Sequence, residues 1–274
     1  MHPILFEIGP IKIYSFGLMM GISFIIGNIL LTKEFKRKKI NPDFASNITV
    51  IALVAGVVGS KILYLLENFS EFIADPFGMA FSPGGLTFYG GFILATVSIY
   101  FYAKKKHIKF IHIADSIAPA LLLAYGIARI GCHLAGDGDY GFPTDLPWGT
   151  DYSNGTYPPS AAFRNFPEIV AKYGVNGVVP DNTLCHPTPI YETLICAVFF
   201  WFMWKNRTKW NTDGQMFYTY LVLAGIERFS IEFLRLNPRL LLGLSEAQII
   251  SLILIAIGAI GLNSILRETK HHHQ

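Results

Sequence analysis

Seven apolar stretches, at about 13–31, 47–66, 84–103, 112–132, 189–204, 214–235 and 247–265, alternate with polar segments along the chain. Each approaches the roughly 20 residues a helix needs to span the hydrocarbon of a bilayer. Their lengths and Gly/Ala content favour helices, since a β-barrel would show alternating segments of about 10 residues. The pattern predicts an all-α integral membrane protein with seven transmembrane helices. One long polar element, about 137–188 and rich in Gly, Pro, Asp, Asn and Tyr, separates the fourth helix from the fifth. It is too polar for lipid and too long for a turn, so a small head is expected there. Within it FPEIVAKYGV (166–175) predicts a short helix starting near Pro167. The plainer reading of the element is a spacer. The expected organisation is helices one to four over 1–136, the head over 137–188, helices five to seven over 189–266 and a tail over 267–274. The loop 67–83 is acidic and aromatic, as an interfacial segment would be. No internal repeat is evident, which argues against a transporter built from inverted halves.

Charge then orients the helices. Hydrophobic residues make up 52% of the chain and charged ones only 15%, against about 25% in a soluble domain. One set of loops carries Lys33, Lys36, Arg37, Lys38 and Lys39, then Lys104, Lys105, Lys106 and Lys109, then Lys205, Arg207 and Lys209; the tail adds Arg267 and Lys270. Basic loops face the cytoplasm, so the expected topology is N-out and C-in, with the head on the extracytoplasmic side. The net charge of +3 is thereby accounted for as a topology signal, and nucleic acid is not an expected partner. The first apolar run has neither a basic segment before it nor a small-residue cleavage motif after it, so it is expected to stay as a helix.

Arginines inside apolar helices carry the chemical interest. Arg129 lies near the end of HIADSIAPALLLAYGIARIGCHLAG (112–136), and Arg228 lies inside QMFYTYLVLAGIERFSIEFLR. A guanidinium at bilayer depth costs at least ~2.5–3.5 kcal/mol, so a carboxylate partner or an anionic ligand must compensate. Arg228, Glu232 and Arg235 are spaced i, i+4, i+7, which puts them on one helix face. Glu232 can neutralise one arginine; the surplus positive charge could then take a phosphate through bidentate hydrogen bonds. Lys61 could add a cation, or snorkel to the interface. After Arg129 the chain runs through Gly131, His133, Gly136, Asp137, Gly138, Asp139 and Gly141. The two aspartates could serve as a base, as arginine partners or as turn formers; His133 could be catalytic or a satisfied interface histidine. SPGGLTFYGG (82–91) offers Gly84, Gly85 and Tyr89 for tight helix packing or for the floor of a substrate pocket. HPTPIYETL (186–194) sets His186, Tyr191 and Glu192 at the start of a helix, where Glu192 needs a partner and the arginines are the obvious ones. Cys132, Cys185 and Cys196 show no metal-ligand spacing. A Cys132–Cys185 disulfide needs their Cα atoms to come close; the plainer reading of both is small buried residues. The terminal HHHQ could be a metal-binding tract, a tag remnant or a solvated tail.

These segments together resemble the prolipoprotein diacylglyceryl transferase family. The similarity runs nearly end to end, through IGPIKIYSFGLMM, GSKILYLL, GGLTFYGG, ARIGCHLAGDGDYG, PTDLPWG, HPTPIYET, ERFSIEFLR and LSEAQIISL. Each piece is weak alone; eight in the family's order are specific. The resemblance implies a bacterial inner-membrane enzyme that moves a diacylglyceryl group from phosphatidylglycerol to the lipobox cysteine of a preprolipoprotein, forming a thioether and releasing glycerol 1-phosphate. It implies that Arg129 contacts the lipid headgroup, that Arg228 is a second essential arginine with Glu232 and Arg235 in the same pattern, and that Asp137 stands where the family has Glu. Several positions depart from the family. Pro83 replaces a His before GGL, Cys132 a signature Asn, Phe16 a Tyr and Lys61 an Arg, and one residue is added after Asp137.

The expected mechanism follows from both readings. Arg129 and Arg228 hold the phosphate and stabilise the charge that develops on the leaving phosphoglycerol. Without a His at 83, Asp137 is the first choice of base and His133 the second. Lys61, Gly84, Gly85, Tyr89, Tyr191, Glu192, Glu232 and Arg235 join Arg129 in the expected substrate site. No metal or redox cofactor is expected, because the leaving group is already a phosphate ester. Two other classes are a lipid or anion transporter and an inactive scaffold descended from the transferase.

Overall fold

The computed structural model describes residues 1–9, 11–82 and 84–271; Pro83 and residues 272–274 of the tail, both singled out above, lie outside the described residues. A hairpin of β1 (Ile4–Ile8) and β2 (Ile11–Tyr14) leads directly into α1 (Ser15–Arg37). α2 (Asp43–Glu67) follows, then the short α3 (Phe69–Ala74) and α4 (Pro76–Phe81), then α5 (Phe88–Lys105) and α6 (Phe110–Ala135). The head contains β3 (Thr150–Asp151), α7 (Pro159–Ala162), α8 (Pro167–Tyr173) and β4 (Leu184–Cys185). α9 (Thr188–Asn206) and α10 (Gln215–Ile231) come next, and a hairpin of β5 (Arg239–Leu241) and β6 (Leu244–Ser245) joins α10 to α11 (Glu246–His271).

Each of the seven apolar stretches coincides with a long helix. Among the described residues, α1, α2, α6 and α11 are long and apolar enough to cross a membrane. The chain is thus a predominantly helical membrane protein. The three two-stranded pairings, β1 with β2, β3 with β4 and β5 with β6, were not foreseen, because strands of two to five residues are too short to show a period of two. A second difference bears on the site. α10 stops at Ile231, with Glu232 as its C-cap, and Arg235 enters an antiparallel bridge with Gly141 instead of continuing the helix.

The chain divides into two compact units, Met1–Gly27 with Ile117–Gln274, and Asn28–Ser116. In the smaller unit α2 and α5 pack through glycines. A side chain at Gly59 would run into the Gly90 backbone, and one at Gly91 into Gly56 and Ser60. Tight packing is therefore the role of the second glycine pair in SPGGLTFYGG.

In the larger unit α10 and α11 meet the same way, with Gly225 against Ser251 and Ile255 and Gly258 against Tyr218 and Val222. The head has its own core of Tyr140, Tyr152, Phe163, Val179 and Cys185, with the Tyr140 and Tyr152 rings stacked at 4.2 Å. A backbone hydrogen bond from Phe142 N to Leu234 O at 3.0 Å ties the head to the segment after α10, and one from Gly141 N to His186 O at 2.9 Å joins the two ends of the head.

Candidate active site

Three guanidiniums converge where α6, α9 and the end of α10 meet the start of the head. Arg129, near the end of α6, lies over the ring of Tyr125 one turn earlier, 4.7 Å from its centroid. Tyr125 donates its hydroxyl to Glu192 Oε1 at 2.9 Å. Glu192 is fully buried in the second turn of α9 and is shared by all three arginines. Arg129 Nε is 3.2 Å from Oε2, Arg228 Nη1 donates to Oε1 at 3.3 Å, and Arg235 Nη1 is 3.7 Å from Oε2. Glu232, also fully buried, pairs with Arg228 Nη2 at 3.1 Å and accepts from Asn237 Nδ2 at 2.7 Å.

Asp139 closes the network by pairing with both Arg129 and Arg235. Its backbone carbonyl accepts from Thr188 Oγ1 at 2.6 Å and Arg235 Nη1 at 3.2 Å. This overturns the expectation of a surplus charge, since Glu192, Glu232 and Asp139 match three arginines one for one. Hydrogen-bond donors remain in surplus. Each guanidinium carries five N–H groups, more than the three carboxylates engage. Arg228 is the most accessible of the three, with its side chain 25% exposed against 8% for Arg235, so it has the greatest room to meet a ligand.

The loop after α6 depends on two glycines with positive φ. Gly136 (φ +58°) packs against Gly155, and Gly138 (φ +90°) against the Tyr157 ring, so neither has room for a side chain. They hold Asp137 and Asp139 in opposite electrostatic settings. Burial alone would raise Asp139, but Arg235 and then Arg129 outweigh it and bring its carboxyl down to about 2. Asp137 is pushed up by burial and by the charge of Asp139, against weaker opposing hydrogen bonds from Cys132 and the Asp139 backbone. Of the two, Asp137 is the one suited to accept a proton.

Other expected site residues are placed as follows. His133 Nδ1 lies 3.0 Å from the Tyr152 hydroxyl, at the edge of the head core. The Tyr191 hydroxyl accepts from Trp148 Nε1 at 2.8 Å and lies 3.4 Å from His186 Nδ1, whose pKa burial lowers. Lys61, Gly84, Gly85 and Tyr89 belong to the smaller unit. There Lys61 Nζ donates to Ser82 O (3.0 Å), Ser82 Oγ (2.9 Å) and Gly84 O (2.7 Å), which uses all three of its N–H groups. Gly85 (φ +69°) sits against the Tyr64 ring, while Gly84 faces open space. The ring of Tyr89 meets Phe88 edge-on at 5.8 Å.

Cys132, Cys185 and Cys196 are free and buried. The spacing of cysteines gave no hint that Cys132, Asp137 and Asp139 would bring potential ligand atoms within 4.8 Å of one another. Asp139 there is already held by two guanidiniums, and Arg129 Nη1 approaches the Cys132 sulfur at 3.6 Å, so the cluster is set against a cation.

Sequence reasoning missed Tyr125 and Asn237 and did not single out Asp139 over Asp137. Tyr125 could have been found, being one helical turn from Arg129. Asn237 had no such signal, since it follows the end of a helix.

A family described as prolipoprotein diacylglyceryl transferase matches residues 3–263. A relative from Clostridium tetani, called phosphatidylglycerol–prolipoprotein diacylglyceryl transferase, is 34% identical over 260 residues, covering 94% of this chain and 95% of its own. One of the same name from Clostridioides difficile is 30% identical over 273 residues, covering 99% and 98%. Another from Clostridium perfringens, a transferase numbered 2, is 31% identical over 272 residues, covering 97% and 95%.

Proposed function

The chain belongs to the prolipoprotein diacylglyceryl transferase family and transfers a diacylglyceryl group from phosphatidylglycerol to a prolipoprotein, and we propose that Arg228 and Arg129 hold the donor's phosphate while Asp137 takes the acceptor's proton. The transporter and inactive-scaffold readings are not favoured.

The acceptor in this reading is the lipobox cysteine thiol. Its proton passes to Asp137, its sulfur attacks the glyceryl carbon, and the bond from that carbon to the phosphate oxygen breaks. A thioether forms and glycerol 1-phosphate leaves with the electron pair. Negative charge builds on the departing phosphate oxygen, where fixed guanidinium donors stabilise it most. The observation that carries this role is the partly exposed Arg228, whose charge is balanced by Glu192 and Glu232 while N–H groups stay free. Asp137 suits the base because its pKa is raised, towards the operating pH. Arg235, more deeply buried, supports the clamp from behind through Asp139.

The membrane arrangement belongs to the same proposal. α5, α9 and α10, of 17 to 19 residues, join the four longer helices as spans, each about 26–29 Å long. The N-terminus and the head then lie outside a bacterial inner membrane and the basic loops inside. Purified protein, phosphatidylglycerol and a lipobox peptide test the reaction. A peptide heavier by one diacylglyceryl group is expected by mass spectrometry, and an unmodified peptide at full enzyme loading would remove the claim.

A further inference from the structure

Between α10 and α11 the chain turns back on itself in the β5–β6 hairpin, whose tip carries three consecutive leucines. Leu240 is 66% exposed, Leu241 64% and Leu242 90%. Leu242 and Gly243 both take positive φ, +53° and +73°, the signs that a tight type I′ turn requires. Asn, Asp or Gly ordinarily fills the first of those positions, because a larger side chain is strained there. At its exposure Leu242 gains almost no packing within the chain to offset that strain.

The base of the hairpin is firmly held. Arg239 pairs in register with Ser245, and its Nη1 donates to Gln248 Oε1, in the first turn of α11, at 2.7 Å. Ser245 N donates to the same oxygen at 3.1 Å. Arg239 Nη2 donates to the backbone carbonyl of Glu232 at 3.3 Å, and the Glu232 carboxylate pairs with Arg228. The bare leucines therefore sit on a frame joined both to α11 and to the arginine cluster. From Leu242 the chain reaches Glu246, where α11 begins, within about 13 Å of extended backbone. That helix is long and apolar enough to cross a membrane, and Phe233, Leu252 and Ile253 continue the exposed apolar surface on either side of the hairpin.

We propose that the β5–β6 tip is immersed in the outer leaflet of the bilayer and fixes the depth at which Arg228 meets lipid headgroups. Successive side chains of a strand point to opposite faces, so Leu240 and Leu241 lie on opposite sides of the hairpin. Both sides are bare. One rigid protein surface could cover only one of them, whereas hydrocarbon closes round both. Three side chains also offer only a few hundred square ångströms, against about 800 Å² per partner in a stable protein interface. The placement rests on the proposed function, which sets α10 and α11 across the membrane with the head outside. The head meets the same end of α10, through Phe142 N and Leu234 O, so the hairpin belongs to the outer side. Arg239 carries the seat of the hairpin in the lipid to the backbone of Glu232.

A nitroxide attached at Leu242→Cys, in the full-length protein in phosphatidylglycerol nanodiscs, reads the depth of the tip. The native cysteines are buried, and the unsubstituted protein gives their background. Collisions with oxygen, which concentrates in hydrocarbon, should exceed those with a water-soluble nickel chelate. The same order is expected at Ile253→Cys on α11 and the opposite order at Arg164→Cys, exposed on the head. Nickel access like that at Arg164→Cys would put the tip in water, and shielding from both reagents would put it under protein; either overturns the inference. Leu241→Asn with Leu242→Asn should raise KM for long-chain phosphatidylglycerol in nanodiscs several-fold and leave kcat/KM for a short-chain phosphatidylglycerol in detergent unchanged. Arg239→Met, combined with Leu242→Cys, should keep the nitroxide in hydrocarbon yet give the same rise in KM. Unchanged KM in both variants, or an equal loss in detergent from the leucine variant, would overturn the depth-setting role. A tip in hydrocarbon with no peptide adduct keeps the anchor and removes the transferase reading. Adduct formation with the tip in water does the reverse.

Discussion

Arg129 Nε and Glu192 Oε2 stand 3.2 Å apart, joining α6 to α9 through a carboxylate that Arg228 and Arg235 also approach. A charge shared in this way is costly to remove. Breaking a buried ion pair from one side typically costs about 3–5 kcal/mol, because the partners stay buried without compensation. Glu192→Gln keeps the shape and removes the charge from among three guanidiniums, so it should lower the melting temperature in detergent and reduce turnover together. Unchanged thermal stability would mean that Glu192 is not the hub.

Asp139 should make stability depend on acid. Its folded carboxyl lies at about 2, below the ordinary 3.8, so its contribution is complete above the ordinary value and fades as pH falls from about 4 to 2. The shift corresponds to about 2 kcal/mol. Unfolding of wild type and Asp139→Asn, followed across that window, should converge at its acid end and diverge at neutral pH.

Asp137 should behave in the opposite sense. Its pKa is raised, so it stabilises the fold most below the ordinary value and loses that contribution as pH rises through the folded one. As the base it must be ionised, which gives kcat/KM an acid limb lying above the ordinary aspartate value. Asp137→Asn should abolish that limb and lower kcat by roughly 10²–10⁴-fold. An intact acid limb in this variant would assign the proton to another group, with His133 next in line.

Lys61 should act on its own loop. Its three hydrogen bonds to Ser82 and Gly84 suggest that Lys61→Met would speed amide exchange over 84–87 more than over the body of α5. A uniform change along α5 would point instead to helix packing.

Much of this was readable in the chain, for definite physical reasons. Apolar runs of 16 to 22 residues leave little choice but helix, and an arginine in such a run requires a partner, which pointed to Glu192 from its position alone. The helix face drawn through Arg228, Glu232 and Arg235 was right in bringing the three side chains together and wrong about how. The helix ends at Ile231, and Arg235 reaches the cluster from an extended segment bridged to Gly141. Asp139 meets Arg235 across 96 residues, a pairing set by that bridge and by the turn that Gly136 and Gly138 allow. Periodicity carries no information about such contacts, which is why Asp137 was chosen as the base while the pairing of Asp139 with two arginines went unseen.

The phosphate clamp is tested most directly by steady-state transfer kinetics of Arg228→Lys, with phosphatidylglycerol varied and a lipobox peptide as acceptor. Lysine keeps the charge but loses the planar pair of donors, and a hydrogen bond to a charged group is worth about 1.5–3 kcal/mol. The account predicts that kcat/KM for the lipid falls by roughly 10- to 100-fold, with the KM for the peptide unchanged. Wild-type kcat/KM for the lipid, or a loss confined to the peptide, would contradict it.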